Sequence, residues 1–155
     1  MKTWRSLYVV LAGSLAFLAA VTGPAAATQP QDASIEAHTV RDCPGPGSCV
    51  FTATGAITDS GTVTTEFVRA TALPSPTVGT AQYVRTFHGQ LGSLTILLNT
   101  RITATNDPTL WDEVGHWLIV SGTGAYSGLL GQGEESGIRD FANQSLDAVY
   151  TGQLH

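Results

Sequence analysis

The sequence predicts an all-β protein: a single antiparallel β-barrel of about eight strands, connected as a meander and preceded by a signal peptide. From residue 49 onward, runs of Val, Ile, Thr, Phe and Tyr are separated by Gly, Pro, Asn or Asp at intervals of about 8 to 12 residues, which is typical of sandwiches and barrels. No stretch shows a sustained helical period. A meander of this size has two long exposed edges unless it closes into a barrel, so closure is expected.

Residues 1–27 have the pattern of a secretory signal peptide. Lys2 and Arg5 give a positive start, residues 6–23 are apolar and uncharged, and three small alanines end at Ala27. We expect cleavage after Ala27 and a secreted, extracellular mature protein. A retained membrane anchor is the alternative, because about 18 apolar residues nearly span a bilayer. Cleavage leaves 128 residues, enough for one domain with one core.

The mature chain is acidic and contains no lysine. It contains five arginines and a total of twelve aspartates and glutamates, which gives a formal charge of −7. Because an acidic surface repels polyanions, nucleic acid is not an expected partner, and neither is an anionic membrane after signal cleavage.

Residues 28–48 are predicted to form an N-terminal arm with a disulfide loop, and residues 49–155 to form the barrel. The arm is polar, with one strand at residues 35–40. Cys43 and Cys49 bound the sequence CPGPGSC, and an exported chain meets oxidising conditions, so we expect them to form a disulfide. A zinc pair is the alternative, but two thiols with no neighbouring His supply half a site, and no metal is expected.

Hairpin symmetry predicts which residues share a face. The predicted strands are residues 35–40, 49–57, 62–71, 80–88, 93–105, 116–121, 131–138 and 144–154. Folding about residues 73–79 sets Phe67 opposite Arg85 and Arg69 opposite Tyr83. Folding about residues 89–92 pairs Phe87 with Leu94, Arg85 with Ile96 and Tyr83 with Leu98. Folding the next hairpin near Thr109 pairs Leu98 with Val120 and Ile102 with His116. The predicted inward face comprises Val63, Phe67, Tyr83, Phe87, Leu94, Ile96, Leu98, Ile102, Leu118 and Val120.

The glycine-rich stretch SGTGAYSGLLGQGE, residues 121–134, is not a nucleotide site. A P-loop needs a lysine for the phosphates and a following helix, and a dinucleotide fingerprint needs a βαβ unit; neither pattern is present. We interpret the stretch as a corner between two strands, in which glycines allow positive φ and residues 126–129 form a short turn.

The longer run HWLIVSGTGAYSGLLGQGEESG, residues 116–137, resembles the signature of the allene oxide cyclase and dirigent superfamily. That signature is a strand, a Gly-Thr-Gly corner with an aromatic residue, and a glycine that leads back into the barrel. Small exported bacterial proteins with an allene oxide cyclase-like barrel are similar, and they also end in a run like Val149-Tyr150-Thr151-Gly152. The resemblance covers about residues 50–155.

The resemblance implies an eight-stranded antiparallel barrel, often trimeric, with an apolar cavity. Plant members of the superfamily cyclise hydrophobic substrates or steer their coupling, with no metal or organic cofactor. The shared motif describes the geometry of a corner and not chemistry, so no catalytic residue is carried over.

Candidate site residues come from the predicted inward face. The ligand-binding candidates are Phe67, Tyr83, Phe87, Ile96, Leu98 and Leu118. Arg69 and Arg85 are predicted to turn inward, where they could bind a carboxylate or polarise a carbonyl in an apolar cavity. The alternative is that they lie at the rim in solvent or pair with an acid. His116 could act as a general base, or it could be a rim or core histidine satisfied by the backbone.

The acidic pairs Asp112-Glu113 and Glu134-Glu135 are interpreted as solvated loop acids. Adjacent residues of an extended chain point to opposite faces, so neither pair supplies the two facing carboxylates of a glycosidase.

The expected function is that of a secreted, cofactor-free β-barrel that holds a small hydrophobic ligand in its interior. The first alternative is a cofactor-free cyclase or isomerase on the same scaffold, helped by Arg69 or Arg85. The second is a structural or interaction module whose barrel is filled by side chains and whose outer surface forms a homo-oligomer. Cavity volume separates the first two hypotheses from the third.

Overall fold

The computed structural model describes residues 29–43, 46–72 and 76–155. The predicted signal peptide lies outside this range. The described residues form eight strands and one short 3₁₀ helix, η1 (Gly124–Tyr126). Within this part of the chain, no helix is long and apolar enough to cross a membrane.

The strands form a closed antiparallel barrel in sequence order, which confirms the predicted fold class. Their bounds are β1 (Gln31–Val40), β2 (Cys49–Gly55), β3 (Asp59–Ala72), β4 (Val78–Gly89), β5 (Ser93–Ala104), β6 (Leu110–Gly122), β7 (Gly131–Asp140) and β8 (Ser145–Leu154). The β1–β2, β3–β4, β5–β6 and β7–β8 connections lie at one end of the barrel, which we call the mouth. The other connections lie at the opposite, closed end.

The segment predicted as an N-terminal arm is the strand that closes the barrel. β1 pairs with β8 from Gln31 to Val40 and with β2 from Ala33 to Thr39, so the barrel begins at Gln31 and not at residue 49. Two of its inward residues are small alanines, Ala33 and Ala37, which explains why the sequence pattern here is weak. Cys43 and Cys49 form the predicted disulfide in the β1–β2 connection.

Apolar side chains fill the core of the barrel. The buried apolar cluster comprises Ala33, Ile35, Ala37, Phe51, Ala53, Val63, Phe87, Leu94, Ile96, Leu98, Trp117, Ile119, Tyr126, Leu146, Ala148, Tyr150 and Leu154. A cavity toward the closed end, lined by seven of these residues, has a volume of about 10 Å³. That volume holds about one water molecule, so this half of the interior is packed with side chains.

The side chain of Asp59 ties together three segments of the closed end. Its carboxylate accepts hydrogen bonds from the backbone N–H groups of Ser60, Gln90 and Leu91, at 2.8, 3.0 and 3.2 Å, and from the Tyr126 hydroxyl at 2.5 Å. Burial alone raises the pKa of Asp59, but these four hydrogen bonds outweigh it and hold the pKa below its ordinary value.

The glycine-rich stretch forms the predicted corner. Gly124 and Gly128 have φ values of 60° and 77°, in the left-handed region that favours glycine. A Cβ atom at Gly122 would lie 2.1 Å from the carbonyl oxygen of Tyr126, so only glycine lets the chain fold back here. The corner thereby brings the Tyr126 hydroxyl onto Asp59.

The predicted β4–β5 register is confirmed, but the predicted β5–β6 register is wrong. Ile102 faces Glu113, and His116 faces Asn99, a slip of three residues from the prediction. The turn at residues 105–109 is shorter than the predicted loop between these two strands. Within it, the Asp107 carboxylate accepts the backbone N–H of Thr109 at 2.8 Å. An odd slip moves every side chain of a strand to the other face.

The corrected β6 register reverses several predicted orientations. His116, Leu118 and Val120 lie on the outer surface and are exposed, although they were predicted to point inward. Trp117 and Ile119 take their places in the core.

A β-bulge at Val68 corrects the prediction for Arg69. Phe67 faces Tyr83, whereas Arg69 faces Gln82, because the β3–β4 register shifts between them. The extra residue turns Arg69 outward, where it is exposed. Phe67 keeps its predicted face, since its pairing differs from the prediction by an even number of residues.

We predict that Asp59→Asn lowers the free energy of unfolding by roughly 2–3 kcal/mol, because an amide cannot accept all the hydrogen bonds made to the charged carboxylate. Tyr126→Phe removes one of these donors and should lower it by about 1 kcal/mol. Urea unfolding of the purified protein at pH 7 measures both effects. Ser127→Ala, at an exposed neighbouring position, is the control. A value for Asp59→Asn equal to that of the control would show that Asp59 does not tie the closed end together.

Candidate functional site

The interior toward the mouth carries charged residues in place of apolar ones. Arg85 lies on β4, Glu113 on β6, and Glu135 and Arg139 on β7; we call these four residues the charged cluster. Arg85, Glu113 and Glu135 are 2%, 0% and 2% exposed. Their strand positions alternate with outward residues, so the pleat of each strand directs them into the barrel.

Arg85 is held by neutral side chains. Its Nε donates to Thr65 Oγ1 at 3.2 Å, and an Nη1 hydrogen is donated to the Tyr150 hydroxyl. The guanidinium carbon lies 5.7 Å from the ring centroid of Tyr150 and 5.9 Å from that of Tyr83, within the range of cation–π contacts. Burial lowers the pKa of Arg85, and the Glu113 carboxylate opposes that shift.

Glu113 and Arg139 form a partly buried salt bridge, in which the Glu113 side chain is fully buried and the Arg139 side chain is 23% exposed. Arg139 Nε and Nη2 donate to the same oxygen, Glu113 Oε2, at 2.7 and 2.6 Å. The Arg139 guanidinium carbon also lies 5.9 Å from the ring centroid of Tyr83. The Tyr83 ring therefore contacts both cations of the cluster, and burial raises the pKa of its hydroxyl.

Glu135 is a buried carboxyl group whose charge is poorly compensated. It faces Gly115 on β6, and a Cβ atom at Gly115 would lie 3.1 Å from Glu135 Oε2, so this glycine makes room for the carboxyl group. Burial and the nearby Glu113 carboxylate raise the pKa of Glu135 to about 7, although Arg85 and Arg139 oppose the shift. Both protonation states of this carboxyl group are therefore accessible near neutral pH.

Three carboxyl oxygens of the cluster, Glu113 Oε1 and both oxygens of Glu135, are buried and have no hydrogen-bond partner among the residues that the structure describes. We call these atoms the open acceptors. A buried acceptor without a donor destabilises a protein by about 1–3 kcal/mol, and in native proteins most such atoms are paired with a donor from the protein, a water molecule or a ligand.

Four aromatic side chains surround the mouth above the charged cluster; we call them the aromatic rim. Phe67 and Tyr83 form an edge-to-face pair with ring centroids 5.7 Å apart, and Trp111 and Phe141 form another at 5.6 Å. Trp111 faces Arg139 across the β6–β7 ladder. Phe67 is 57% exposed, so the rim presents apolar surface to solvent.

The structure separates the residues predicted from the sequence into four groups. Phe87, Ile96 and Leu98 are buried in the core, and Phe67 and Tyr83 lie on the rim. Arg85 belongs to the charged cluster. The remaining three candidates, Leu118, Arg69 and His116, are exposed on the outside of the barrel.

Sequence reasoning missed Glu113, Glu135 and Arg139. The signal was present in the adjacent acidic pairs: one member of each pair must face inward in a strand, and only the register decides which. In the observed β5–β6 register, Glu113 is paired with Ile102. Because Ile102 points into the barrel, Glu113 points inward as well.

Comparison with protein-family models, with curated proteins and with solved structures finds no match to this chain. In residues 29–43, 46–72 and 76–155 there is no group of three or more His, Cys, Asp or Glu side chains placed to hold a metal ion.

We predict that Glu135→Gln stabilises the protein at alkaline pH and has little effect in acid. The folded-state pKa of Glu135, about 7, lies above the ordinary value of 4.5, so the folded protein holds a proton that the unfolded chain loses between these values. This contribution to stability is fully present below pH 4.5 and is lost as the pH rises through 7. The difference between variant and wild type should grow to about 3 kcal/mol at pH 8.

Urea unfolding across this pH range measures the difference. Glu134→Gln is the matched control, because Glu134 is the neighbouring acid on the outer surface. A Glu135→Gln difference that does not change with pH would contradict the assignment.

Proposed function

We propose that this protein is a secreted, cofactor-free β-barrel that binds a small hydrophobic molecule in the mouth of the barrel. The apolar body of the ligand packs on the aromatic rim, and its polar end points toward the charged cluster. The observation that supports this proposal most strongly is the exposed ring of Phe67, which lies beside Tyr83 and thus above four charged residues in the interior.

The composition of the mouth suits a small-molecule site. Such sites are lined mainly by apolar and aromatic groups, with a few polar groups that orient the ligand. Transfer of the exposed face of an aromatic ring out of water stabilises a complex by about 25 cal/mol per Å². The charged cluster supplies polar groups with little gain in stability, because buried ion pairs contribute less to folding than well-packed apolar residues of the same size.

The ligand is proposed to bind in the mouth rather than the centre of the barrel, because the core cavity of about 10 Å³ is too small for an organic molecule. Phe87, Ile96 and Leu98 then form the floor beneath the site and do not line a chamber. The Cys43–Cys49 disulfide and the signal-peptide pattern support secretion.

An enzyme on the same scaffold is the second candidate, and one observation favours it. A carboxyl group with a pKa of about 7 is suited to donate and accept protons at neutral pH. In a cofactor-free isomerase or cyclase, Glu135 would move a proton to or from the bound molecule. Arg85, buried on the same interior face, would stabilise negative charge that develops in the reaction.

Binding of the neutral fluorescent probe N-phenyl-1-naphthylamine tests the proposed site. We predict saturable binding to the wild type and an affinity at least about tenfold lower for Phe67→Ala, because the variant loses exposed aromatic contact surface. Leu130→Ala is the matched control: Leu130 is 58% exposed, but it lies at the closed end. An equal loss of affinity for the probe in both variants, or no saturable binding to the wild type, would refute the proposed site.

A further inference from the structure

We infer that the molecule bound in the mouth presents a hydroxyl group as hydrogen-bond donor to Glu135, and that carboxylic acids are disfavoured. This inference rests on the proposed function and adds the chemical class of the ligand. It follows from which hydrogen-bonding groups of the charged cluster are already engaged and which are open.

The cations of the cluster are engaged. Arg85 donates to Thr65 and Tyr150, and Arg139 directs two N–H groups at Glu113 Oε2. These bonds occupy two of the five N–H donors of each guanidinium, so a carboxylate ligand would find both arginines already paired with protein groups.

The groups without a protein partner are acceptors. The open acceptors are all carboxyl oxygens, and two of the three belong to Glu135. A ligand hydroxyl supplies the donor that these oxygens lack within the described part of the chain. A hydrogen bond to a charged group contributes about twice as much as one between neutral groups.

Charge also separates the ligand classes. A ligand carboxylate would bring a third acidic group beside Glu113 and Glu135, and an ammonium would bring a third cation beside Arg85 and Arg139; in either case like charges repel more strongly in a buried site than in water. An alcohol avoids that repulsion. It can also donate to Glu135 in either protonation state, because a protonated carboxyl group keeps an acceptor oxygen.

The Tyr83 ring lies between Phe67 of the rim and the cations of the charged cluster. It contacts Phe67 on the rim and both guanidinium groups of the cluster. Because the oxygens of Glu135 are fully buried, the side chains around them must move when a ligand reaches them. The donor group of the ligand thus enters beside Tyr83, and its apolar body remains against Phe67.

Three probes with the same phenyl body test the inference: 2-phenylethanol, 2-phenylethylamine and phenylacetate. Each is titrated at pH 7 against wild-type protein that carries N-phenyl-1-naphthylamine. We expect the neutral alcohol to displace the dye at concentrations at least tenfold lower than phenylacetate or 2-phenylethylamine, which is an ammonium ion at pH 7. Displacement by either ion at an equal or lower concentration than the alcohol would overturn the inference.

A variant links the preference to Glu135. Glu135→Met keeps the length of the side chain without its acceptors and should lower the affinity for 2-phenylethanol about tenfold, with no loss for phenylacetate. Glu134→Met is the control, and circular dichroism checks that both variants fold. If Glu135→Met does not fold, Glu135→Gln takes its place. This variant should reduce the preference for 2-phenylethanol over phenylacetate, because its amide presents a donor as well as an acceptor. An unchanged preference in the folded variant would refute the role of Glu135.

The experiment distinguishes failure of this inference from failure of the proposed function. If the dye binds at the mouth but none of the three probes displaces it, the donor inference fails and the hydrophobic site remains. If the dye does not bind the wild type, the proposed function fails and the inference fails with it.

Discussion

The ladder between β1 and β8 is the constraint on which the rest of the structure depends. Ten residues of β1, from Gln31 to Val40, pair with β8, while the other edge of β1 pairs with β2. This pairing leaves the sheet without an edge and gives every strand one enclosed face. A charged residue at an inward position toward the middle of a strand cannot reach water in such a barrel, so Glu113 and Glu135 are buried as a consequence of closure.

Two buried carboxyl groups in this molecule show how burial changes a carboxyl pKa when hydrogen-bond donors are present and when they are absent. Asp59 receives four hydrogen bonds, its pKa is lowered, and it joins three segments of the closed end. Glu135 receives none from the residues described, and its pKa is raised to about 7. The first arrangement stabilises the fold, whereas the second weakens it at neutral pH. Perturbed groups of the second kind occur preferentially at functional sites, which is why the proposed function is placed at the mouth.

The sequence predicted the parts of the fold that depend on local signals. Strand spacing, the glycine corner, the disulfide and the β4–β5 ladder all follow from short-range patterns, and the structure confirms them. The role of β1 depends on pairing with β8 more than a hundred residues away, and its alanines give only a weak local signal. The β5–β6 register depends on the geometry of one turn, and an odd error there moved His116 and Leu118 to the wrong face.

The candidate site was only partly predictable for the same reason. Arg85 was identified because it lies on the ladder whose register was correct. Arg69 was misplaced by a single bulge residue, Val68, which no periodic pattern reveals. Glu113 and Glu135 were interpreted as solvated loop acids because neither acidic pair supplies two carboxylates on one face, although in a strand one member of such a pair must point inward.

The most direct measurement is a ¹³C NMR titration of the Glu135 side-chain carboxyl group, assigned by its absence in Glu135→Gln. A buried group beside a second acid and without donors among the described residues should titrate with a midpoint near pH 7. A midpoint near the ordinary value of 4.5 would show that the carboxyl group is solvated or paired. In that case the charged cluster would not be the buried site described above.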